Sequence, residues 1–262
     1  MKKYVLLFIS FFAFNIASFS QVMVKNRQVV NSSDFISSIK KAHYFDLFHQ
    51  QKAVSFDVEM SVNGKINLNA TLTTLTSSGK IRLQNANGKT VIFDGKKTYL
   101  SPANADYPKA RFDIFTYQYF FMAPFKVSDK GTQWEMLSDQ VYNYNDYARA
   151  RLTFQNGTGD SSNDWYIVHR NKATNYMEAL AYIVTYGGKP VAEAEKKVSS
   201  IFYNDWKAVG GVMFPTTWKF MNWSEEKGFF GTKAEVKIKN IRFITPDNNT
   251  FAVPADSKEV GM

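Results

Sequence analysis

The feature that most constrains this fold is the alternation of apolar and polar residues between Val54 and Thr73. Apolar side chains occupy every second position from Val54 to Val62, and the alternation resumes from Ile66 to Leu72. The pair Asn63-Gly64 separates the two runs and is typical of a type I′ hairpin turn. Period-two alternation predicts strands with one apolar and one polar face. The stretch therefore predicts an antiparallel hairpin that opens a longer β meander.

Further strands are predicted along most of the chain. Turn signals follow at Ser77-Ser78-Gly79, Asn87-Gly88 and Asp94-Gly95, with short apolar runs between them. The later strands are predicted at Gln133–Tyr144, Tyr147–Gln155, Asp164–Arg170, Asn175–Tyr186, Lys197–Trp206 and Val212–Trp223. The first two of these are expected to turn near Asn145-Asp146, and a change of apolar phase predicts a β-bulge near Asn240.

An aromatic segment, Phe112 to Phe125, interrupts the β pattern. Seven of its fourteen residues are aromatic. As a helix it would be apolar almost all round and would end at Pro124, so it needs cover from a core, a partner or an apolar ligand. An ordinary buried helix and the lid of a cavity both fit, and alternation from Phe115 to Tyr119 also permits a short strand.

The strand Val212–Trp223 carries large apolar groups on both faces. Trp218 and Phe220 face one side, whereas Met221 and Trp223 face the other. A sheet with one face in water does not need this pattern, whereas a sheet covered on its second face does.

The beginning of the chain predicts export. Residues 1–20 combine Lys2 and Lys3 with an apolar run, which is typical of a cleavable signal peptide, and residues 21–33 form a flexible lead-in. No cysteine is present, so a lipid anchor on cysteine is excluded. Without the signal peptide, thirty basic residues face 23 acidic ones, a formal charge of +7 that is spread along the chain. This charge indicates a solvated surface and no nucleic-acid partner.

A helix is predicted from about Asp34 to Gln51, capped by Ser33 or Asp34. His43 and His49 lie on it six residues apart, which separates them by roughly 120° around the helix and is unlike a zinc pair. They are interpreted as surface or interface histidines. His169 is interpreted as structural.

The sequence predicts no enzyme. Nucleophile-elbow, zinc-protease and P-loop motifs are missing, and the chain has only three histidines. Asp57 and Glu59 share the polar face of a strand and are interpreted as exposed rather than as a catalytic pair. Catalytic residues, metal ligands and cofactors are all predicted to be absent, although carboxylate-only hydrolysis stays open because acidic pairs leave no local spacing.

Four sequence segments resemble a known family. They are FDGKKTYL (Phe93 to Leu100), DWYIVHRNKATNYMEALAYIV (Asp164 to Val184), YNDWKAVGGVMFPTTWKF (Tyr203 to Phe220) and FAVP (Phe251 to Pro254). With the signal peptide and the aromatic insertion, they resemble the LolA-like half-barrels of the Gram-negative periplasm, and most closely the uncharacterised secreted members of that superfamily.

The predicted fold is mainly β with a few helices (α+β). One strongly curved antiparallel sheet forms an open half-barrel, with the helices on its concave side. A closed barrel is the alternative. Residues 34–256 are expected to form one domain, followed by a tail at residues 257–262.

The resemblance implies binding of an acyl chain or another hydrophobic group between the sheet and its helices. By position, the lid would be Phe112, Phe115, Tyr119, Phe120 and Met122, with Trp218 and Phe220 as the floor. Lipoprotein carriers also use a basic residue to hold the lid, and Arg111 adjoins the aromatic segment.

The sequence therefore predicts an exported periplasmic protein that binds a hydrophobic ligand or lipoprotein acyl chains, with transient contacts to membrane proteins. Two alternatives remain. One is an envelope scaffold whose aromatic residues only complete the core, and the other is an envelope hydrolase.

Overall fold

The computed structural model describes residues 31–159 and 161–261. In these ranges the chain forms a single curved, open antiparallel sheet of thirteen strands with four helices, which is the mainly β half-barrel that the sequence predicts. The predicted signal peptide and most of the predicted lead-in lie outside the described residues.

The strands vary from two to seventeen residues in length. They are β1 (Ala53–Val62), β2 (Lys65–Leu75), β3 (Ile81–Asn85), β4 (Thr90–Phe93), β5 (Thr98–Ser101), β6 (Thr132–Tyr142), β7 (Asn145–Phe154), β8 (Tyr166–Asn171), β9 (Met177–Tyr182), β10 (Ser199–Val209), β11 (Val212–Ser224), β12 (Gly228–Ile244) and β13 (Lys258–Glu259). The helices are α1 (Ser32–Ala42), α2 (Phe45–His49), α3 (Ala110–Met122) and α4 (Val191–Ala194).

The order across the sheet is β13-β5-β4-β3-β2-β1-β12-β11-β10-β9-β8-β7-β6. Two meanders therefore meet where β1 pairs with β12 near the middle. The short strand β13 and the long strand β6 form the two edges.

This strand order explains why α3 lies over the sheet. The chain leaves β5 beside one edge and must enter β6 at the other edge. The connection between them contains α3, so it crosses the open side of the half-barrel. Its apolar residues pack on the concave face.

Local turn chemistry determines much of the register. Asn63 and Gly64 both have positive φ, of 49° and 76°, and β1 and β2 pair directly on either side of them. This geometry is the predicted type I′ hairpin. Asn240 has a φ of 52° at a register shift between β1 and β12, which confirms the predicted bulge.

Two details of the β prediction are wrong. Ser61 pairs with Ile66 whereas Met60 pairs with Leu68, so a bulge shifts the phase and leaves Ile66 53% exposed. The turn between β6 and β7 is formed by Asn143 and Tyr144, both with positive φ, two residues before the predicted position.

The predicted helix Asp34–Gln51 is in fact two helices. Tyr44 adopts a left-handed conformation with φ of 57° and separates α1 from α2. The cap is Asn31, whose side chain accepts a hydrogen bond of 2.8 Å from the Asp34 backbone N–H.

The surface interpretation is wrong for His43. Its ring is fully buried: Nε2 accepts from the Met177 N–H at 3.0 Å, and Nδ1 lies 3.4 Å from the Met213 carbonyl oxygen. The break at Tyr44 turns the chain so that this histidine meets the sheet. His49 is exposed, with Nε2 3.1 Å from the carbonyl oxygen of Phe125.

The second face of the sheet carries its own small apolar cluster. Trp223 and Phe229 lie there with Trp165, and the cluster includes Ala194 of α4. The two-faced pattern of β11 is thus confirmed, since Trp218 belongs to the main core and Trp223 to this second cluster. His169 is buried beside Phe229, which agrees with a structural role.

Candidate functional site

The aromatic segment is a helix that uses its faces differently. Ile114, Tyr117 and Phe121 are buried toward the sheet, whereas Phe112 and Phe115 are only partly buried. The helix ends at Met122, and a 3₁₀ turn at Ala123–Phe125 follows because Pro124 cannot continue the α-helical hydrogen bonds.

The C-terminal end of α3 is fixed to the sheet by stacked rings. The ring of Phe121 is 3.7 Å, centroid to centroid, from Phe56 of β1 and 5.1 Å from Phe214 of β11. Phe125 stacks on Phe48 of α2 at 3.9 Å. In addition, the Tyr203 hydroxyl donates to the Phe120 carbonyl oxygen at 2.8 Å. This end of the helix is therefore core.

Another face of α3, from Phe112 to Phe120, covers a cavity of about 450 Å³. This volume lies within the range of small-molecule sites, about 300–1,000 Å³. Apolar and aromatic side chains form most of the wall. They are Phe112, Phe115, Tyr119 and Phe120 from α3, together with Ile81, Phe93, Phe154, Tyr166, Tyr182, Val184 and Tyr186 from the sheet and its connections.

Ring contacts join the helix to the sheet around this cavity. Phe115 meets Phe93 at 5.0 Å, and Phe112 meets Tyr186 at 5.4 Å. Deeper in the wall, Tyr119 lies 5.2 Å from Tyr166. These contacts hold α3 over the sheet on both sides of the cavity, and an apolar ligand would lie among aromatic faces and edges.

Polar groups line the other part of the cavity. Gln118 and Lys126 both donate to the Ser78 hydroxyl, at 2.7 and 3.3 Å, and Lys126 forms an ion pair of 2.6 Å with Asp129. Gln118 is almost fully buried, so its hydrogen bond fixes α3 to the turn between β2 and β3.

Asp164 is a second carboxylate in the wall. Its Oδ1 accepts from the Thr185 N–H at 2.6 Å and from the Thr185 hydroxyl at 2.7 Å. Burial raises the pKa of the Asp164 carboxyl, and the two hydrogen bonds from Thr185 counteract that shift. The residue connects the loop before β8 to the segment after β9.

The predicted ligand-binding residues fall into two groups. Phe112, Phe115, Tyr119 and Phe120 line the cavity. The structure places the other three outside its lining. Met122 and Trp218 are fully buried core residues, and Phe220 packs behind the cavity wall with its ring 5.6 Å from Phe120.

The floor is formed by residues that the sequence analysis did not select. Tyr166, Tyr182 and Val184 lie there with Phe93 and Phe154. The signal for Tyr182 and Val184 was the apolar alternation from Tyr182 to Tyr186, whereas Tyr166, Phe93 and Phe154 lie on other predicted strands. Alternation did not identify the floor because it defines a face but not which part of that face stays uncovered.

Arg111, in the first turn of α3, contacts both the sheet and its own helix. Its guanidinium donates to the Thr98 hydroxyl at 2.7 Å and lies 5.0 Å from the ring centroid of Phe115. It thereby joins α3 to β5, the strand next to the β13 edge of the sheet.

Other candidate sites of the sequence have ordinary surroundings. Asp57 accepts from Thr71 and Asn240, and Glu59 pairs with Lys239 on the same polar face. Among residues 31–159 and 161–261, no group of three acidic, histidine or cysteine residues is arranged to hold a metal ion. In the same ranges, every helix is too short or too polar to cross a membrane.

Comparison with known proteins gives structural matches only. No family model matches the sequence, and no curated protein does. A LolA superfamily protein from Nitrosomonas europaea matches with a TM-score of 0.53 at 10% identity, over 86% of this chain and 98% of its own. A putative outer membrane lipoprotein-sorting protein domain from Vibrio parahaemolyticus also has a TM-score of 0.53, at 11% identity over 84% and 97% of the two chains. A DUF1329 family protein from Desulfovibrio piger is more distant, with a TM-score of 0.46 at 11% identity over 82% and 96%. The curved open sheet with α3 across its concave side is therefore a LolA-like fold.

Proposed function

We propose that this protein is an exported, non-enzymatic carrier that binds a hydrophobic ligand, such as a lipid or a lipoprotein acyl chain, between the curved sheet and α3. The observation that carries the proposal is the aromatic cavity of about 450 Å³. A helix that only completed the core would be expected to pack closely against the sheet, whereas α3 leaves this space next to Phe115 and Tyr119. The LolA-like fold supports the carrier role.

Periplasmic localisation is part of the same proposal. The apolar residues 1–20 favour export, and one structural neighbour is a putative outer membrane lipoprotein-sorting protein domain. Fractionation of cells that express the full chain, with immunodetection of the mature form, tests this part. Retention of an uncleaved chain in the cytoplasm would contradict it.

The ligand proposal is tested by filling the cavity. Val184 is a partly exposed valine in the lining, so Val184→Trp places an indole where the ligand would lie. The matched control is Val191→Trp on α4, at a valine that is 37% exposed and outside the lining. Binding is measured with N-phenyl-1-naphthylamine, an uncharged fluorescent probe, and by native mass spectrometry of protein purified from cells.

We expect the wild type and Val191→Trp to bind the probe alike, and Val184→Trp to bind it at least tenfold more weakly. Co-purified lipid should be lost from the same variant. If the folded wild type carries no lipid and binds no probe, the carrier proposal is wrong, and a scaffold role with the aromatic residues as core becomes the better interpretation.

Hydrolysis remains the second candidate because two carboxylates, Asp129 and Asp164, line the cavity. Their partners favour structural roles, since Asp129 pairs with Lys126 and Asp164 is held by Thr185. Incubation with p-nitrophenyl esters and glycosides separates the two functions. Turnover that Asp164→Asn abolishes would overturn the non-enzymatic proposal.

A further inference from the structure

The cavity is amphipathic, and its polar groups are connected. Gln118 Nε2 and Lys126 Nζ both donate to Ser78 Oγ, and the same ammonium pairs with Asp129 Oδ2. All four side chains line the cavity, and the apolar part of its wall is largely aromatic. These groups fix α3 to the β2–β3 turn, and they also place an ammonium at the cavity wall.

The two partners of the ion pair differ in exposure. The Lys126 side chain is 20% exposed, and Ser78 and the 3₁₀ turn that follows α3 hold it in place. The Asp129 side chain is 42% exposed and stands nearer to solvent. A pair with one well-exposed member is weak and exchangeable, so another anion can take the place of Asp129 on Lys126.

The other charged groups of the lining permit such an exchange. Lys130, an exposed residue, also belongs to the lining. On the negative side, Asp164 has Oδ1 occupied by two hydrogen bonds from Thr185, so this oxygen is already engaged within the protein. Displacement of Asp129 into solvent would therefore leave the Lys126 ammonium without the carboxylate that pairs with it.

From this geometry we infer that the cavity takes a single-chain amphiphile with an anionic head group, a carboxylate or a phosphate. Its head displaces Asp129 from Lys126, and its tail lies along Phe115, Tyr119 and the floor at Tyr182. The inference rests on the proposed function, since it names the ligand class of the same cavity.

Four ligands of equal chain length test the head group. They are dodecanoate, dodecyl phosphate, dodecanol and dodecylamine, each titrated below its critical micelle concentration against bound N-phenyl-1-naphthylamine at pH 7.5. We expect the two anions to bind at least tenfold more tightly than dodecanol, and dodecylamine to bind no better than the alcohol. The tighter of the two anions distinguishes a fatty acid from a phosphate-bearing lipid as the source.

Two substitutions at the ion pair have opposite expected effects. Lys126→Met keeps most of the length of the side chain but removes the charge, so it should weaken dodecanoate binding at least fivefold more than it changes dodecanol binding. Asp129→Asn removes the competing carboxylate and should strengthen dodecanoate binding two- to fivefold. The control is Lys196→Met, because Lys196 also forms a 2.6 Å ion pair with a residue three positions away, outside the cavity.

The results that would contradict the anionic head group differ from those that would contradict the carrier proposal. Equal affinities for all four ligands, or dodecylamine as the tightest, would overturn the anionic head group while the carrier proposal stands. Weaker dodecanoate binding in Asp129→Asn would mean that the pair is needed intact, which also overturns the exchange. Failure of every ligand and of the probe would overturn both proposals.

Discussion

At the scale of single residues, the burial of two histidines predicts that acid destabilises the fold. His43 and His169 are fully buried, and burial lowers the pKa of each to about 3. The Arg149 guanidinium contributes to the shift at His169. In the unfolded chain both would titrate near 6.5. Between these values the unfolded state binds more protons, so the stability gained from neutral histidines is complete above about pH 6.5 and decreases as the pH falls toward 3.

We therefore expect the free energy of unfolding to fall with acidification by up to about 1.4 kcal/mol per pH unit for each histidine. Urea unfolding at pH 7.5, 6.5, 5.5 and 4.5 measures this slope. His43→Gln and His169→Gln should each reduce this slope by up to about 1.4 kcal/mol per pH unit, which corresponds to one proton fewer taken up on unfolding. Both variants should also be less stable than the wild type at pH 7.5. An unchanged slope in both variants would show that neither histidine is the source.

A second prediction at this scale concerns the hydroxyl of Tyr203, which donates to the Phe120 carbonyl oxygen near the end of α3. Tyr203→Phe leaves this carbonyl without that donor in a buried position and should cost about 1–2 kcal/mol of unfolding free energy. Tyr144→Phe, at a fully exposed tyrosine, is the control and should have no measurable effect. Equal stability of the two variants would contradict the assigned role.

At the scale of elements, α3 combines a structural end with a cavity-facing part. Phe121→Ala removes the ring stacked between Phe56 and Phe214 and should cost about 3–5 kcal/mol. Phe115→Ala, at a partly buried ring over the cavity, should cost about 1–2 kcal/mol. The effect on probe binding should have the opposite order. Relative to its loss of unfolding free energy, Phe115→Ala should weaken probe binding more than Phe121→Ala does. Chemical unfolding and probe titration on the same samples compare the two effects.

The helices and strands also show how much of the structure sequence patterns can predict. The alternation of β1 and the Asn63-Gly64 turn identified the first hairpin, because local backbone preference and burial agree there. His43 was misinterpreted because its burial depends on the left-handed turn at Tyr44, which no periodicity marks. Helix α3 was found from its apolar composition. Its division into a core end and a cavity part depends on partners such as Phe56 and Phe214, which are distant in sequence.

At the scale of the whole molecule, the sheet order explains both the cavity and the limit of prediction. No local sequence pattern predicts that β1 pairs with β12. Nor does one predict that β5 lies next to one edge of the sheet while β6 forms the other edge. The space under α3 follows from that order together with the curvature of the sheet, since the connection from β5 to β6 must span the open side. The half-barrel could be predicted from the resemblance to a known family. The cavity floor at Tyr166 and Tyr182 could be identified only from the three-dimensional structure.

The edges of this open sheet give the last prediction. Strand β13 covers the outer side of β5: Lys258 pairs with Leu100, and the Val260 N–H donates to the Thr98 carbonyl oxygen at 2.9 Å. Thr98 also accepts from Arg111 of α3, so the C-terminal segment supports the edge on which that helix rests. Exposed strand edges promote pairing between molecules.

Deletion of residues 257–262 should therefore cost about 1–2 kcal/mol, the value of the lost backbone hydrogen bonds and packing. It should also accelerate hydrogen exchange at the amides of β5 and favour association through the uncovered edge. Exchange mass spectrometry and light scattering measure these effects. The control is Lys97→Ala, which removes only the exposed ion pair with Glu259 and should leave both measurements unchanged. If the truncated chain has the same apparent mass as the full chain and protected β5 amides, β13 is an accessory to the sheet, and the β5 edge is kept closed by α3 and its connection.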